Sequence, residues 1–407
     1  MAASPTDPWQ WRERLLAEMV LAPAVESVPL RRAAGRLLAQ SLHSPEDIPS
    51  GPVSAMDGFA VRSQELTGQG STILPVSADL PARPGQVPPL ARGTAARIMT
   101  GAPMPEGADL VIPVEDTDAD PEGRAPARVR IGAEASREPG RHLRDRGEEI
   151  GRGDVLAEAG DRIGPGLIGL ARTLGIAQVP VRAPLRIAVV VTGDELTADD
   201  AHQAEGTVRE SNGTMLAAAL TADGCEAQVL RSGDEPAALA EVLADAEESA
   251  DLVLTTGGIG HGAYDVVKAL LGPRGTGTSC FVHLALRPGG PQGAGRLPGG
   301  TPVVHLPGTP VGALVGHHLF VRQLLPGGGS PPHAVGLEDP TGLVARSRRR
   351  EGLVVLAGRL ATGPQGAPLV RLLPGRRLAP YGRADALVLG GAAACTGIED
   401  SALVMPL

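Results

Sequence analysis

The spacing of apolar residues changes character twice along the chain. At 11–22, Leu15, Leu16, Met19, Val20 and Leu21 stand among Arg and Glu, which predicts an amphipathic helix. VPLRRAAGRLLAQSL, at 28–42, reads as a second helical stretch interrupted by Gly35. From about 45 to 145 short apolar runs alternate with Pro, Gly and Asp, as in ILPVSADLPARPGQVPP. That texture predicts a small all-β unit. A helical pattern returns at 146–182, where GPGLIGLARTLG ends on a glycine.

From 184 onward the pattern is regular. LRIAVVVTGDEL predicts a buried strand and a turn, and SNGTMLAAALTADG a helix with a Ser/Asn cap and a Gly stop. CEAQVLRS is a strand, and DEPAALAEVLADAEESA a helix opened by Asp234. DLVLTT, a helix at 264–271, the strands CFVHLAL and TPVVHLP, and the helix PVGALVGHHLFVRQLL follow. Alternating β and α elements at this spacing predict a doubly wound parallel sheet. After the Gly/Pro linker LLPGGGSPPHA only short strands remain, predicting a small terminal β-domain. The expected segments are 1–45, 46–145, 146–182, 183–326 and 327–407.

Bulk numbers narrow the function classes. The 407 residues allow several domains, and aromatics are 2%, so Leu, Val and Ala must make the core. A net charge of −9 argues against general nucleic-acid binding. Cys225, Cys280 and Cys395 are few, odd in number and far apart, which argues against a zinc site or a disulfide framework. No apolar run reaches the ~18 residues of a membrane span. A soluble, reducing, cytoplasmic setting is expected, with no membrane partner.

In open α/β sheets ligands bind beyond the carboxyl ends of the strands. Those ends read Thr192-Gly193-Asp194-Glu195, Gly233-Asp234-Glu235, Thr255-Thr256-Gly257-Gly258, Arg287-Pro288-Gly289-Gly290-Pro291 and Pro307-Gly308-Thr309-Pro310. Ser211 and Asn212 open the helix after the first of them. Gly257 and Gly258 let backbone amides approach an anion, helped by the next helix N-terminus. Arg287 offers a planar fork for an oxyanion. Glu195, Asp234 and Asp265 are acceptors suited to a hard cation such as Mg²⁺ bridging to phosphate. Together they predict a site for a phosphorylated anion plus a metal. Plainer roles stand beside these: Asp234 as a helix N-cap, Glu195 as a solvated turn, Asp265 as a first-turn dipole residue. Lys268, the chain's sole lysine, and His261 read as solvated, and His317 and His318 as structural.

Several blocks are similar to those of a known family. PVSAMDGFAV (52–61), RIMTGAPMPEGADLVIPVEDT (97–117), GRHLRDRGEEI (140–150), VVVTGDEL, TTGGIGHGAYDVVK and HLPGTPVGALV occur in the family's order. The chain resembles the molybdopterin molybdenumtransferases, the MoeA and gephyrin E-domain family, over almost its whole length. The resemblance implies a MogA-like α/β domain, an N-terminal helical linker domain, a small β-rich domain and a C-terminal β-barrel-like domain. It implies Mg²⁺-assisted insertion of molybdate into adenylylated molybdopterin, with loss of AMP. It implies a homodimer whose site lies between the α/β domain of one subunit and the MDGFA domain of the other, with Asp57 and Thr100 from that second wall. Partners would include a molybdopterin adenylyltransferase and molybdoenzymes.

The departures fall where the chemistry is. The family's Lys-Pro-Gly-Lys-Pro reads RPGGP, so Arg287 keeps a charge and Gly290 brings no donor. Leu-Pro-Gly-Asn-Pro reads LPGTP, with Thr309 for the amide, and Ser-Val-Gly-Asp-Tyr reads GHGAY. Losing one charged donor to a buried oxyanion removes about 2–4 kcal/mol of transition-state stabilisation. Arg296, in GAGRLPGG, is a candidate replacement. Two functions are compatible with these residues: the transferase, or a catalytically weakened paralogue that binds or carries the pterin.

Overall fold

The computed structural model describes residues 5–66, 70–197, 205–260, 265–347, 352–363, 366–375, 377–391 and 401–407. Contacts divide the chain into two compact units, Ser27–Val181, and Met1–Glu26 with Arg182–Leu407.

The first helix, α1 (Pro8–Glu18), starts where Asp7 accepts hydrogen bonds from the amides of Trp9 and Gln10, at 2.9 and 3.1 Å. It buries Trp11 and Leu15 in the main core of the α/β part. The helix expected at 28–42 is absent. Val25–Pro29 is extended, Leu30–Arg32 makes a single 3₁₀ turn, and Leu37 and Leu38 form β-bridges to Arg162 and Val181. Pro29 supplies no amide hydrogen, Gly35 adopts φ 76°, and the apolar residues find extended partners far along the chain.

The all-β unit is as expected. Its strands are β1 (Gly58–Val61), β2 (Thr72–Leu80), β3 (Ala95–Ile98), β4 (Leu110–Pro113) and β5 (Arg128–Ile131), in the order β4-β1-β3-β2-β5. Alternation sends Phe59, Val61 and Ile112 to one core, and Ala60, Val111 and Ile98 to another. In 146–182 only α2 (Pro165–Thr173) is an α-helix.

The α/β domain comprises β6 (Arg186–Thr192), β7 (Leu196–Thr197), β8 (Val208–Arg209), α3 (Asn212–Ala222), β9 (Glu226–Ser232), α4 (Pro236–Ser249), β10 (Leu252–Thr256), α5 (Val266–Leu271), β11 (Ser279–His283), β12 (Leu286–Arg287), β13 (Pro291–Arg296), β14 (Pro302–Leu306) and α6 (Pro310–Gly316). Strand order in its six-stranded sheet is β9-β6-β10-β14-β13-β11. The first four strands are parallel; β13 and β11 pair antiparallel. The expected all-parallel sheet therefore ends in an antiparallel edge. No helix separates β11, β13 and β14, and a parallel pairing needs such a crossover. PQGAGR, too glycine-rich to read as a strand, is β13. Ile187, Val189 and Val191 pack towards Leu216 and Leu220 of α3, while Ala188 and Val190 pack towards Leu239 and Leu243 of α4 and Val267 of α5. Both faces are covered, which is why β6 reads as an unbroken apolar run.

The final domain has β15 (His333–Leu337), β16 (Leu353–Thr362), β17 (Pro368–Leu372), β18 (Ala386–Gly390) and β19 (Ser401–Pro406). They close as β16-β17-β15-β19-β18 and back to β16, a five-stranded barrel. β12 joins this sheet beside β16, with Arg287 opposite Val354.

Candidate functional site

β6 is followed by β9 on one side and β10 on the other, so strand order reverses between β6 and β10. A cleft of about 610 Å³ lies there, at the carboxyl ends of β6, β10 and β14. Of the residues expected from sequence it brings together Thr192, Gly193, Glu195, Ser211, Asn212, Asp234, Thr256, Gly257, Gly258, Asp265, Gly289, Pro307, Gly308 and Thr309. Arg287 and Pro288 do not line it. Arg287 is exposed on β12 and its backbone belongs to the barrel sheet. His261 lies outside the described residues.

The buried amide of Asn212 ties three loops together. Its Nδ2 donates to Thr256 Oγ1 at 2.9 Å and to the Gly308 carbonyl at 2.8 Å, while Thr256 Oγ1 donates to the Pro307 carbonyl at 3.0 Å. Asn212 Oδ1 and Thr192 Oγ1 are buried without a hydrogen-bond partner among the described residues. Each such atom costs about 1–3 kcal/mol if left dry, a cost that a polar ligand or water in the cleft removes.

Glycine is required at the loop contact. Gly257 has φ 100°, and a Cβ there would sit 2.9 Å from both the Thr192 carbonyl oxygen and Oγ1. A Cβ on Gly308 would sit 3.2 Å from the Gly257 Cα. The glycine turn is anchored from behind by Lys268, whose Nζ donates to the Gly260 carbonyl at 3.1 Å. The lone lysine is thus a tether rather than a solvated side chain.

The carboxylates are arranged differently from expectation. Asp234 does not cap α4; Glu235 occupies that position. Asp194 and Asp234 instead clip two strand ends together, each amide donating to the other's carboxylate at 3.3 and 3.1 Å. Asp265 is at the N-cap of α5 without capping it by its side chain. With six residues, α5 adds little dipole to the site. Among the described residues no group of three or more His, Cys, Asp and Glu side chains converges to hold a metal, so Glu195, Asp234 and Asp265 line the cleft without forming a ready ligand set. Glu195 and Asp234 follow the ends of β6 and β9, and Asp265 stands at the start of α5, which spreads them round the wall.

Sequence reasoning missed Arg209 and Glu210, both on the wall. Ser211 stands at the N-cap of α3 but its side chain makes no capping bond; Glu210 Oε1 accepts the Gly213 amide at 2.7 Å instead. The Glu210 side chain is only 2% exposed, with Arg231 at 3.8 Å. The acidic residue just before Ser-Asn was the available signal. Arg296, the suggested replacement cation, donates to the Gly300 and Glu18 carbonyls and lies on another cavity.

In the all-β unit Asp57 and Thr100 meet. The Thr100 amide and Oγ1 both donate to Asp57 Oδ1, at 2.6 and 2.8 Å, and hold its carboxyl below the usual range. The turn is set by Gly58, where a Cβ would collide with the Ile112 carbonyl of the neighbouring strand.

Family models match most of the chain: the MoeA N-terminal region (domain I and II) over residues 9–175, and the probable molybdopterin binding domain over 188–327. The chain is similar to molybdopterin molybdenumtransferase 2 of Mycobacterium tuberculosis, 39% identical over 341 residues, covering 81% of this chain and 80% of that one. It is similar to the molybdopterin molybdenumtransferase of Haemophilus influenzae at 33% identity, covering 78% and 76%. The crystal structure of the molybdopterin biosynthesis protein MoeA from Pyrococcus horikoshii shares its fold, with a TM-score of 0.77 at 24% identity over 99% of each chain.

Proposed function

The chain belongs to the molybdopterin molybdenumtransferase family, and we propose that it inserts molybdate into adenylylated molybdopterin with release of AMP. One observation carries the reading: a cleft at the sheet's reversal point, lined by mutually packed glycine loops, keeps two buried polar atoms, Asn212 Oδ1 and Thr192 Oγ1, without hydrogen-bond partners among the described residues. Such a wall suits a ligand with a phosphate or ribose edge. Backbone and hydroxyl groups orient it, and the loops limit water around the anhydride bond that breaks.

Mg²⁺ is part of the proposal. Glu195, Glu210, Asp234 and Asp265 line the cleft, and a phosphoanhydride brought among them needs its charge neutralised. With no protein-only ligand cluster among the described residues, the ion would be shared between one or two carboxylates and the ligand's phosphates, an arrangement Mg²⁺ favours. Those carboxylates are proposed to come from among Glu195, Asp234 and Asp265. A homodimer in which a second copy presents Asp57 and Thr100, and a cytoplasmic setting, complete the proposal.

The test is AMP release from adenylylated molybdopterin by the purified protein with Mg²⁺, with and without molybdate. Release should depend on molybdate and fall about 10²–10³-fold in Asp265→Asn. Tight pterin binding with no release would overturn the transferase and leave a carrier.

A further inference from the structure

The ligand proposed above carries several negative charges, yet Arg287, the cation expected to meet them, is off the cleft wall. Three other basic side chains of the α/β domain are already engaged. Arg231 faces the buried Glu210 at 3.8 Å. Lys268 is spent on the Gly260 carbonyl, and Arg296 on those of Gly300 and Glu18. Among the described residues Arg209 is the one Lys or Arg that lines the cleft.

Its position is built. Arg209 ends β8, which pairs with β7 through Thr197, and the next amide, Glu210, donates to the Thr197 carbonyl at 3.0 Å. Glu210 is then pinned by its own carboxylate on the Gly213 amide. The Glu210 carboxylate is buried there, while its neighbour Arg209 is exposed and borders the cleft, two residues from Ser211 and three from the tied Asn212.

We infer that Arg209 is the residue that grips the ligand's tetrahedral oxyanion, the role the sequence suggests for Arg287. This deepens the proposed function and rests on it. Two groups of the reaction share that chemistry, the phosphate of the pterin nucleotide and molybdate. A guanidinium fork meets either with paired hydrogen bonds, which a lysine would not reproduce.

The experiment compares Arg209→Gln, Arg209→Lys, Arg287→Gln and Arg296→Gln in the full-length protein. Arg209→Gln should raise one KM about 10- to 100-fold, with a smaller change in kcat, and Arg209→Lys should recover only part of it. A raised KM for the pterin nucleotide identifies phosphate as the group held; a raised KM for molybdate identifies the oxyanion substrate. Arg296→Gln should stay within about twofold of the unaltered protein. The inference is overturned if both KM values of Arg209→Gln stay within about twofold, or if Arg287→Gln carries the loss instead. Binding of inorganic pyrophosphate, followed by calorimetry with Mg²⁺, separates this from the reaction itself. If the unaltered protein releases no AMP, the proposed function fails. The Arg209 inference still stands if Arg209→Gln alone weakens pyrophosphate about tenfold or more, and falls if it does not.

Discussion

Asp57 shows how little is needed to set a carboxylate at a site. One threonine gives it two hydrogen bonds, from amide and hydroxyl, and both favour the charged form. The lowered pKa means that any stability linked to Asp57 is complete above the unfolded carboxyl value and is lost as pH falls through the folded one. Thr100→Val removes the hydroxyl and keeps the amide. The Asp57 titration, followed by carbon NMR of its carboxyl, should move up towards the ordinary range near 3.9. No movement would mean that the amide alone holds the charge. Asp57 and Thr100 were both legible from their sequence blocks. Their contact was not, because 43 positions separate them and β1 and β3 must pair before the two turns come together.

At the scale of elements, the start of α3 decides the cleft. The Ser-Asn cap expected from sequence is half right: Asn212 is essential to the loops, while the capping bond comes from Glu210. Propensity rules favour the short hydroxyl, but here the longer carboxylate of the residue before the cap reaches forward to the Gly213 amide. Glu210→Ala should cost about 1–2 kcal/mol, the usual loss for a cap of this kind, read by urea denaturation of the α/β domain. Glu210→Gln keeps an acceptor for the Gly213 amide and should retain more than half of that. Equal losses in the two variants would point to the Arg231 charge pair as the important term.

For the whole molecule, acid should be the weak direction. His305 is wholly buried between the Thr255 and Ser279 hydroxyls, at 2.8 and 2.9 Å, and stacks on Phe281. Burial pushes its pKa down to about 3, and that of His318 likewise to about 3. Both imidazoles are neutral when folded but take up protons near 6.5 when unfolded. The unfolded state then binds more protons between these values, so stability is complete above about pH 6.5 and declines as pH falls towards 3. Thermal scans from pH 7.5 to 5 should show the unaltered protein losing melting temperature faster than His305→Gln, although the variant starts lower. Parallel declines would remove His305 from the account.

The sequence by itself determined the alternation of strand and helix after 184, the glycines that let β6, β10 and β14 meet, and the blocks that identify the family. These depend on residues close together in the chain, where period and turn chemistry are local. Tertiary structure alone decided that β11 and β13 form an antiparallel edge and that five late strands close into a barrel. It also decided that Asp194 and Asp234 clip each other and that Arg287 joins the barrel sheet while Arg209 faces the cleft. A side chain's surroundings are set by which distant segments pack against it. A strand end read alone shows what chemistry is available there, and only the packed sheet shows which side chain reaches the ligand.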